Sequence, residues 1–573
     1  MIYCTISYQQ PHQHWLDFEL TFSNISADKT ILQLPAWRPG RYELGNFAKN
    51  IRKFSVTDSE NEPVPFQKVA KDRWEVETAE LDSIRVVYDY YAAEMNAGST
   101  FLDSEQLYIN FVNCVVYAEE RTEEPYQIKL ELPDSYELAC GLSSPETHTL
   151  EAPSFYHLAE SPLIASPDLT HWQYEVDGHQ FHLWFQGRCL LDEEKTLRRF
   201  RAFTETQIKL MGGFPADDYH FLYHFLPYPA YHGVEHFNST VIALGPSEGI
   251  IESSTSYYDF LGVSSHELFH TWNIIRIRPK EMFPYDYTRE NYFPTGFIAE
   301  GVTTYYGDLF LVRSGVFTKE EYFLELNKLF KRHFENFGRF NHSLVDSSFD
   351  LWLDGYSAGI PHRKVSIYVK GAMVSLILDL MLRDKTNLEQ SLDTFMRYLW
   401  DFFGQQNCGY SLSDLEKLVN DLSGCQIEDY FDRFIYGKEP LEISLNQVLY
   451  TVGCQLNINE NALHSEGIFG FRAAQKDQKW LVQRIEPESV ADAHLALNDE
   501  IVAVNGLQMQ DNLEQLLAGH KTITVSLVRN HKLISVELSA EERRYFKVYT
   551  ISQREDATEE EKQAFQDWLD CAW

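Results

Sequence analysis

Residues 263–277 read VSSHELFHTWNIIRI, and His266, Glu267 and His270 within them make an HExxH pattern. Four residues along a helix is about one turn, so both imidazoles share a face and can reach a single metal ion. The spacing proposes a zinc site. A hydrolytic zinc site usually has three protein ligands and keeps its remaining position for water, so a third donor has to be found. Glu300 fits best: it lies 30 residues past His270, early in a second apolar helical pattern, TGFIAEGVTTYY over residues 295–306. HExxH also arises by chance on surface helices, and a chain with 20 His and 85 Asp+Glu offers many such chances. Evidence from elsewhere in the chain has to decide.

The length of 573 residues calls for roughly three or four domains of about 150 residues each. The composition is that of a soluble chain, 44% hydrophobic, and no run nears the roughly 20 apolar residues of a membrane span. Residues 1–22 alternate like a strand, with no basic stretch followed by an apolar core and cleavage site, so a cytoplasmic protein is expected. The eight cysteines are scattered from Cys4 to Cys571 without a CxxC pair, as suits reduced thiols. With 49 Lys+Arg against 85 Asp+Glu the net charge is −36, which repels polyphosphates and anionic membranes. Neither nucleic acid nor a membrane is an expected partner, and the acid excess reads as solubility.

Residues 1–175 carry short β-rich runs, among them YCTISY, WLDFELTF, WEVETA, IRVVYDYYAA and LYINFVNCVVYA, at the density of an all-β sandwich-like domain. Pro35-Ala-Trp37-Arg38-Pro-Gly40-Arg41-Tyr42 interrupts them as a fixed loop, which either borders a cleft or makes a structural corner. Residues 176–445 are mainly helical. There the glycine of Tyr231-His-Gly233-Val-Glu235-His236 points to backbone approaching a ligand. Thr318–Glu321 and Ser413–Glu416 read as capping boxes, and residues 366–381 as a nearly all-apolar buried helix. Strands return over 446–545 as GIFGFRAA, KWLVQRI, EIVAVNG, TITVSLVR and KLISVEL, with a helical stretch around Asp511 to Leu517. Residues 546–573 make a strand and helix extension, its helix opened by a capping box at Thr558–Glu561.

His266-Glu267-Leu-Phe-His270 followed by Glu300-Gly301 resembles the gluzincin metallopeptidases, in which a downstream glutamate completes HExxH. Tyr231-His-Gly-Val-Glu235-His236 resembles their exopeptidase segment, whose glutamate holds the free amine of a substrate. Tyr368-Val-Lys-Gly371 resembles the segment whose tyrosine hydrogen-bonds the reacting carbonyl oxygen. All three stand in the family's order. The fullest resemblance is to the glycyl aminopeptidase family, which joins an N-terminal β domain, a thermolysin-like zinc domain and a C-terminal PDZ domain. LPAWRPGRY and LNDEIVAVNG look like that family too, so the resemblance spans nearly the whole chain. Two departures stand out: His236 replaces the Asn of larger aminopeptidase relatives, and the gap from His270 to Glu300 is longer than theirs, as suits the glycyl group.

The resemblance implies a multidomain α+β chain: an all-β domain, a mainly helical thermolysin-like zinc metallopeptidase domain, and a PDZ-like domain. One Zn2+ ion would sit on His266, His270 and Glu300, and peptides with a small first residue, Gly or Ala, would be the substrates. Glu267, next to a ligand but not coordinating, would be the general base and later carry the proton to the leaving amine. Tyr368 would be the second oxyanion donor, a type of group whose loss costs about 3 kcal/mol. Glu235, with Gly233 beside it, would bind the substrate and favour aminopeptidase action by charge pairing. Thr304 either helps orient a histidine or is an ordinary helix hydroxyl. Gly467–Phe471 and Asp499–Gly506 resemble PDZ segments, which would take a peptide or protein C-terminus as an added strand or only pack on the catalytic unit. Two further readings stay open: a thermolysin-type zinc endopeptidase, and a non-catalytic peptide-binding protein acting through its PDZ-like domain.

Overall fold

The computed structural model describes every residue from Met1 to Trp573 except Ala358, Glu428 and Asp511. Its N-terminal strands form three sheets. Ile2–Ser7 is the middle strand of the largest, seven-stranded sheet, antiparallel to Trp15–Ser23 and parallel to Tyr126–Leu130. Alternation settles which side is buried: Leu16, Phe18, Leu20 and Phe22 point inward and are at most 1% exposed. The run LYINFVNCVVYA is not one strand. Leu107–Ile109 gives way to a helical turn, Phe111–Cys114, before the short strand Tyr117–Ala118. Asn113 is buried in that turn and donates to the Gly98 carbonyl at 2.8 Å, a side-chain partner that competes with strand pairing.

The middle unit opens on a mixed five-stranded sheet, in the order Thr170–Val176, His179–Gly187, Asp218–Phe225, Ser239–Gly245 and Ala230–Glu235. The expected boundary at 175/176 therefore cuts a hairpin. Asp177 and Gly178 make its two-residue turn with φ of 50° and 84°, the geometry that Asp-Gly favours. Ala230–Glu235 is the edge strand and lies against the helix Thr255–Phe269. The helices Glu193–Met211, Thr303–Arg313 and Val369–Lys385 share one large core with it. Val369–Lys385 is buried on almost every side, as an apolar run of that length requires. Thr318 and Glu321 form the expected capping box, whereas the one expected at Ser413 lies two residues earlier, at Ser411 and Asp414. An aspartate three residues on reaches back to the Ser411 N–H at 2.8 Å, so the first available pair is used.

Helix Glu442–Thr451 runs across the expected 445/446 boundary, because Leu445, Val448 and Leu449 are part of the large core. Beyond it, Phe471–Lys476, Lys479–Ile485, Glu500–Val504, Thr522–Arg529 and Lys532–Ser539 make an antiparallel sheet over a core of its own. A short helix covers Leu513–Leu517; Asp511, where it was expected to begin, lies outside the described residues. Val548–Gln553 pairs with Cys454–Asn459, and helix Glu559–Leu569, capped by Thr558 and Glu561, returns to the large core. Among the described residues no helix is long and apolar enough to cross a membrane.

The N-terminal core continues into the middle unit through Tyr285, Tyr287, Phe293, Trp352 and Ile367. Trp37 anchors it: its indole donates to the Asp286 carbonyl at 2.8 Å and meets Tyr285 and Trp352 edge-on. On the other side of the junction His224 is fully buried beside Tyr108, with neither ring nitrogen hydrogen-bonded among the described residues. Burial pushes its pKa down from 6.5 to about 3. The unfolded chain takes the proton first, so stability falls as pH drops from 6.5 towards 3. At pH 5 this costs about 2 kcal/mol, taking about 1.4 kcal/mol per pH unit. His224→Leu should therefore show a smaller loss of melting temperature between pH 7 and pH 5 than the unaltered protein.

Candidate metal centre and active-site cleft

His266 occupies the last turn of helix Thr255–Phe269, and His270 caps it in a right-handed helical conformation, so the one-turn spacing survives the helix end. The two Nε2 atoms are 3.0 Å apart, and Glu300 Oε2 lies 3.9 Å from the first and 3.4 Å from the second. Ligands about 2.1 Å from a tetrahedral centre stand about 3.4 Å from one another. The three donors thus have the mutual separation that one ion needs.

Glu300 arrives on a π-helical turn, Phe297–Val302, that leads into helix Thr303–Arg313. A Cβ on Gly301 would fall 2.5 Å from Gly371 Cα, and one on Gly371 would fall 2.7 Å from Gly301 Cα. Only a pair of glycines lets these backbones touch, and their contact ties the Glu300 turn to the helix that begins just after Tyr368. Asn273 fastens the other side. Its carbonyl contacts His270 Nδ1 at 2.5 Å, and its side chain donates to Ile298 O at 2.8 Å and Thr303 Oγ1 at 3.0 Å. With Nδ1 donating, His270 offers Nε2 to the centre. Thr304 lines the cleft, while its neighbour Thr303 is the hydroxyl engaged in positioning.

Glu267 and Glu235 are each 4% exposed. Thr240 Oγ1 donates to Glu267 Oε2 at 3.2 Å. A Cβ on Gly233 would fall 2.2 Å from Glu267 Oε1, which explains the glycine in the edge strand. Gly40, from the N-terminal loop, presses on Glu235, where a Cβ would fall 2.7 Å from Oε2. Glu235 Oε1 has no hydrogen-bond partner among the described residues. Burial raises Glu267 to about 8 and Glu235 to about 7, with His270 opposing and Glu300 adding to both shifts. Burial also works against charge on His270, but Glu235 and Glu300 hold that imidazole up to about 10. The pocket concentrates buried carboxylates around one imidazole and so favours added positive charge, which suits a divalent ion.

Tyr368 stands at the start of its helix with its hydroxyl 3.4 Å from that of Tyr356. Burial, then the charge of Glu300, raise its pKa well above the usual phenol value, so it stays protonated and able to donate. Three contributors were not picked out from sequence: Tyr42, whose hydroxyl donates to Glu300 Oε1 at 3.3 Å, Asn273, and Tyr356, which lies under the Arg41 guanidinium at 4.9 Å. Tyr42 and Arg41 belong to the Pro35–Tyr42 loop, so that loop is both a corner, through Trp37, and a wall of the cleft. The cleft measures about 660 Å3, bounded by Gly40, Arg41, Gly233, Glu267 and Tyr368, and runs along the HExxH helix to helix Lys319–Phe334.

In the C-terminal unit the loop Gly467–Phe471 begins strand Phe471–Lys476. Helix His464–Gly467 packs between that strand and helix Leu513–Leu517, where Glu514 accepts from the His464 N–H at 2.5 Å. Arg472 donates to both oxygens of Glu335 in the middle unit at 2.8 and 2.9 Å, and Arg484 joins them at 3.0 Å.

Residues 3–167 match the family described as Peptidase M61 N-terminal domain, and residues 259–374 match the one described as M61 glycyl aminopeptidase. The crystal structure of an aminopeptidase N family protein from Idiomarina loihiensis is similar with a TM-score of 0.92 and 26% identity, covering 99% of this chain and 100% of that one. An M1 zinc metallopeptidase from Deinococcus radiodurans has a TM-score of 0.48 at 14% identity, over 77% of this chain and 94% of that one. No curated protein matches the chain.

Proposed function

We propose that this chain, a metallopeptidase whose residues 3–167 and 259–374 match the two M61 models, is a zinc aminopeptidase that removes small first residues, Gly or Ala, from short peptides. The observation that carries the reading is Glu235, a buried carboxylate with an unpaired oxygen in the same cluster as His270 and Glu267. A substrate ammonium supplies the positive partner that this oxygen lacks. A Zn2+ ion on His266, His270 and Glu300 would polarise the scissile carbonyl and acidify a water molecule. Glu267 takes the proton of the attacking water and returns it to the leaving amine, and a carboxyl raised towards neutrality suits both transfers. Tyr368 donates to the carbonyl oxygen as negative charge develops there. Gly40 presses on Glu235 and Arg41 lies over Tyr356, so the N-terminal loop walls the cleft beside the proposed amine site, which supports a small first side chain. The C-terminal unit is read as a PDZ-like domain that serves chiefly as a packing partner, a role supported by the pairing of Arg472 and Arg484 with Glu335.

Free-amine and N-acetylated glycyl and alanyl peptides test this. The unaltered protein should cleave the free-amine series and leave the acetylated one nearly untouched. Glu235→Gln should lower kcat/KM on free-amine peptides about 10- to 100-fold, the range of one charge-assisted hydrogen bond. Equal cleavage of both series would replace the reading with a thermolysin-type endopeptidase. A purified protein with neither metal nor activity would leave only peptide binding.

A further inference from the structure

A second set of buried polar groups, one of them two residues past Tyr368, takes no part in the chemistry above. Lys370, His333 and Arg339 come from three elements: helix Val369–Lys385, the end of helix Lys319–Phe334, and the turn Phe337–Phe340. Their exposures are 1%, 2% and 8%. Lys370 Nζ, His333 Nε2, and Nε and Nη1 of Arg339 have no hydrogen-bond partner among the described residues. The groups are electrostatic neighbours, since the Arg339 charge bears on both others and the Lys370 charge on His333. Glu442 accepts from Arg339 Nη2 at 2.9 Å and leaves the other donors unmatched.

Buried N–H donors are normally paired, and a buried ammonium is stable only with a counter-charge; Glu442, whose second oxygen is also buried and unpaired, balances Arg339, while Lys370 makes no ion pair among the described residues. This surplus of positive donors occurs in a chain of net charge −36, so composition does not account for it. Burial and the neighbouring cations lower Lys370 to about 8, which still leaves it mostly charged at neutral pH.

We propose that Lys370, His333 and Arg339 form a buried binding site for a small monovalent anion of the chloride class. A halide accepts from donors arriving in any direction, whereas a phosphate would bring more oxygens than these side chains can satisfy and more charge than they balance. Arg339 also lines an open groove of about 930 Å3 beside the C-terminal unit. Lys370 is two residues past Tyr368 on the first turn of its helix, so the anion also steadies the start of that helix.

The experiment uses the full chain. Crystals exchanged into bromide should show an anomalous peak within hydrogen-bond distance of Lys370 Nζ. The melting midpoint should rise saturably by about 2 °C in sodium chloride over sodium gluconate at equal ionic strength. Lys370→Met, or Arg339→Gln should the first variant not fold, should abolish that rise. Absence of a bromide peak at Lys370, with equal melting midpoints in the two salts, would overturn the proposal, because the cluster would then hold only water.

Discussion

Glu267→Gln should lower kcat/KM for a glycyl or alanyl reporter by about 10³- to 10⁴-fold while metal content stays unchanged, the upper range for loss of a positioned general base. The substitution keeps the shape of the side chain, and an amide oxygen can still accept from Thr240. It leaves His266, His270 and Glu300 as they are, so what disappears is the capacity to accept and return a proton. Folding should not suffer. Glu267 sits among the charges of Glu235 and Glu300, and burial has already raised it towards neutrality, so a neutral amide relieves repulsion instead of creating it. Metal analysis, a thermal melt and steady-state kinetics on one preparation check all three parts. Activity within tenfold of the unaltered protein would remove Glu267 from the role assigned to it.

His270→Ala is expected to abolish activity for a different reason, with the metal lost as well. His270 belongs to both groups of candidate ligands, the one with His266 and Glu300 and the one with Glu235 and Glu267. It is 1% exposed and held through Nδ1 by Asn273, so nothing from solvent can take its place without a cavity. Turnover should fall by at least about 10⁴-fold, since both the ion's polarising effect and the geometry around it go. Added zinc should not restore it. The fold should weaken too, because the buried carboxylates lose the imidazole that offsets their charge. Atomic absorption separates this variant from Glu267→Gln: the first should read near zero and the second should match the unaltered protein. Full metal content in His270→Ala would mean that the ion sits elsewhere.

The pattern His266, Glu267, His270, with Glu300 in a second helical run, was legible because helical periodicity converts spacing into a shared face. Glu235 and Gly233 were legible as a segment, and the structure adds what sequence could not: Gly233 is small because Glu267 passes it, and Gly371 because Gly301 does. Tyr42 lay in a loop already singled out, yet its partner is 258 residues away, a separation that no local pattern encodes. Asn273 carries no pattern of its own, and its role appears only once His270 and the Glu300 turn are side by side. The five-stranded sheet of the middle unit was read too thinly because two of its inner strands, Asp218–Phe225 and Ser239–Gly245, are buried on both faces, so alternation is hidden there. Asn113 shows the converse case, where a buried amide breaks a run that hydrophobicity alone would extend.

The Pro35–Tyr42 loop also bears on how this chain can be cut or recombined. A fragment starting at residue 176 would leave Glu300 without its phenol and Glu235 open on the flank that Gly40 now covers. The apparent module boundary is thus no seam for protein engineering: a chimera that imports a foreign leading domain inherits a half-built reaction chamber unless this short hook travels with the catalytic segment.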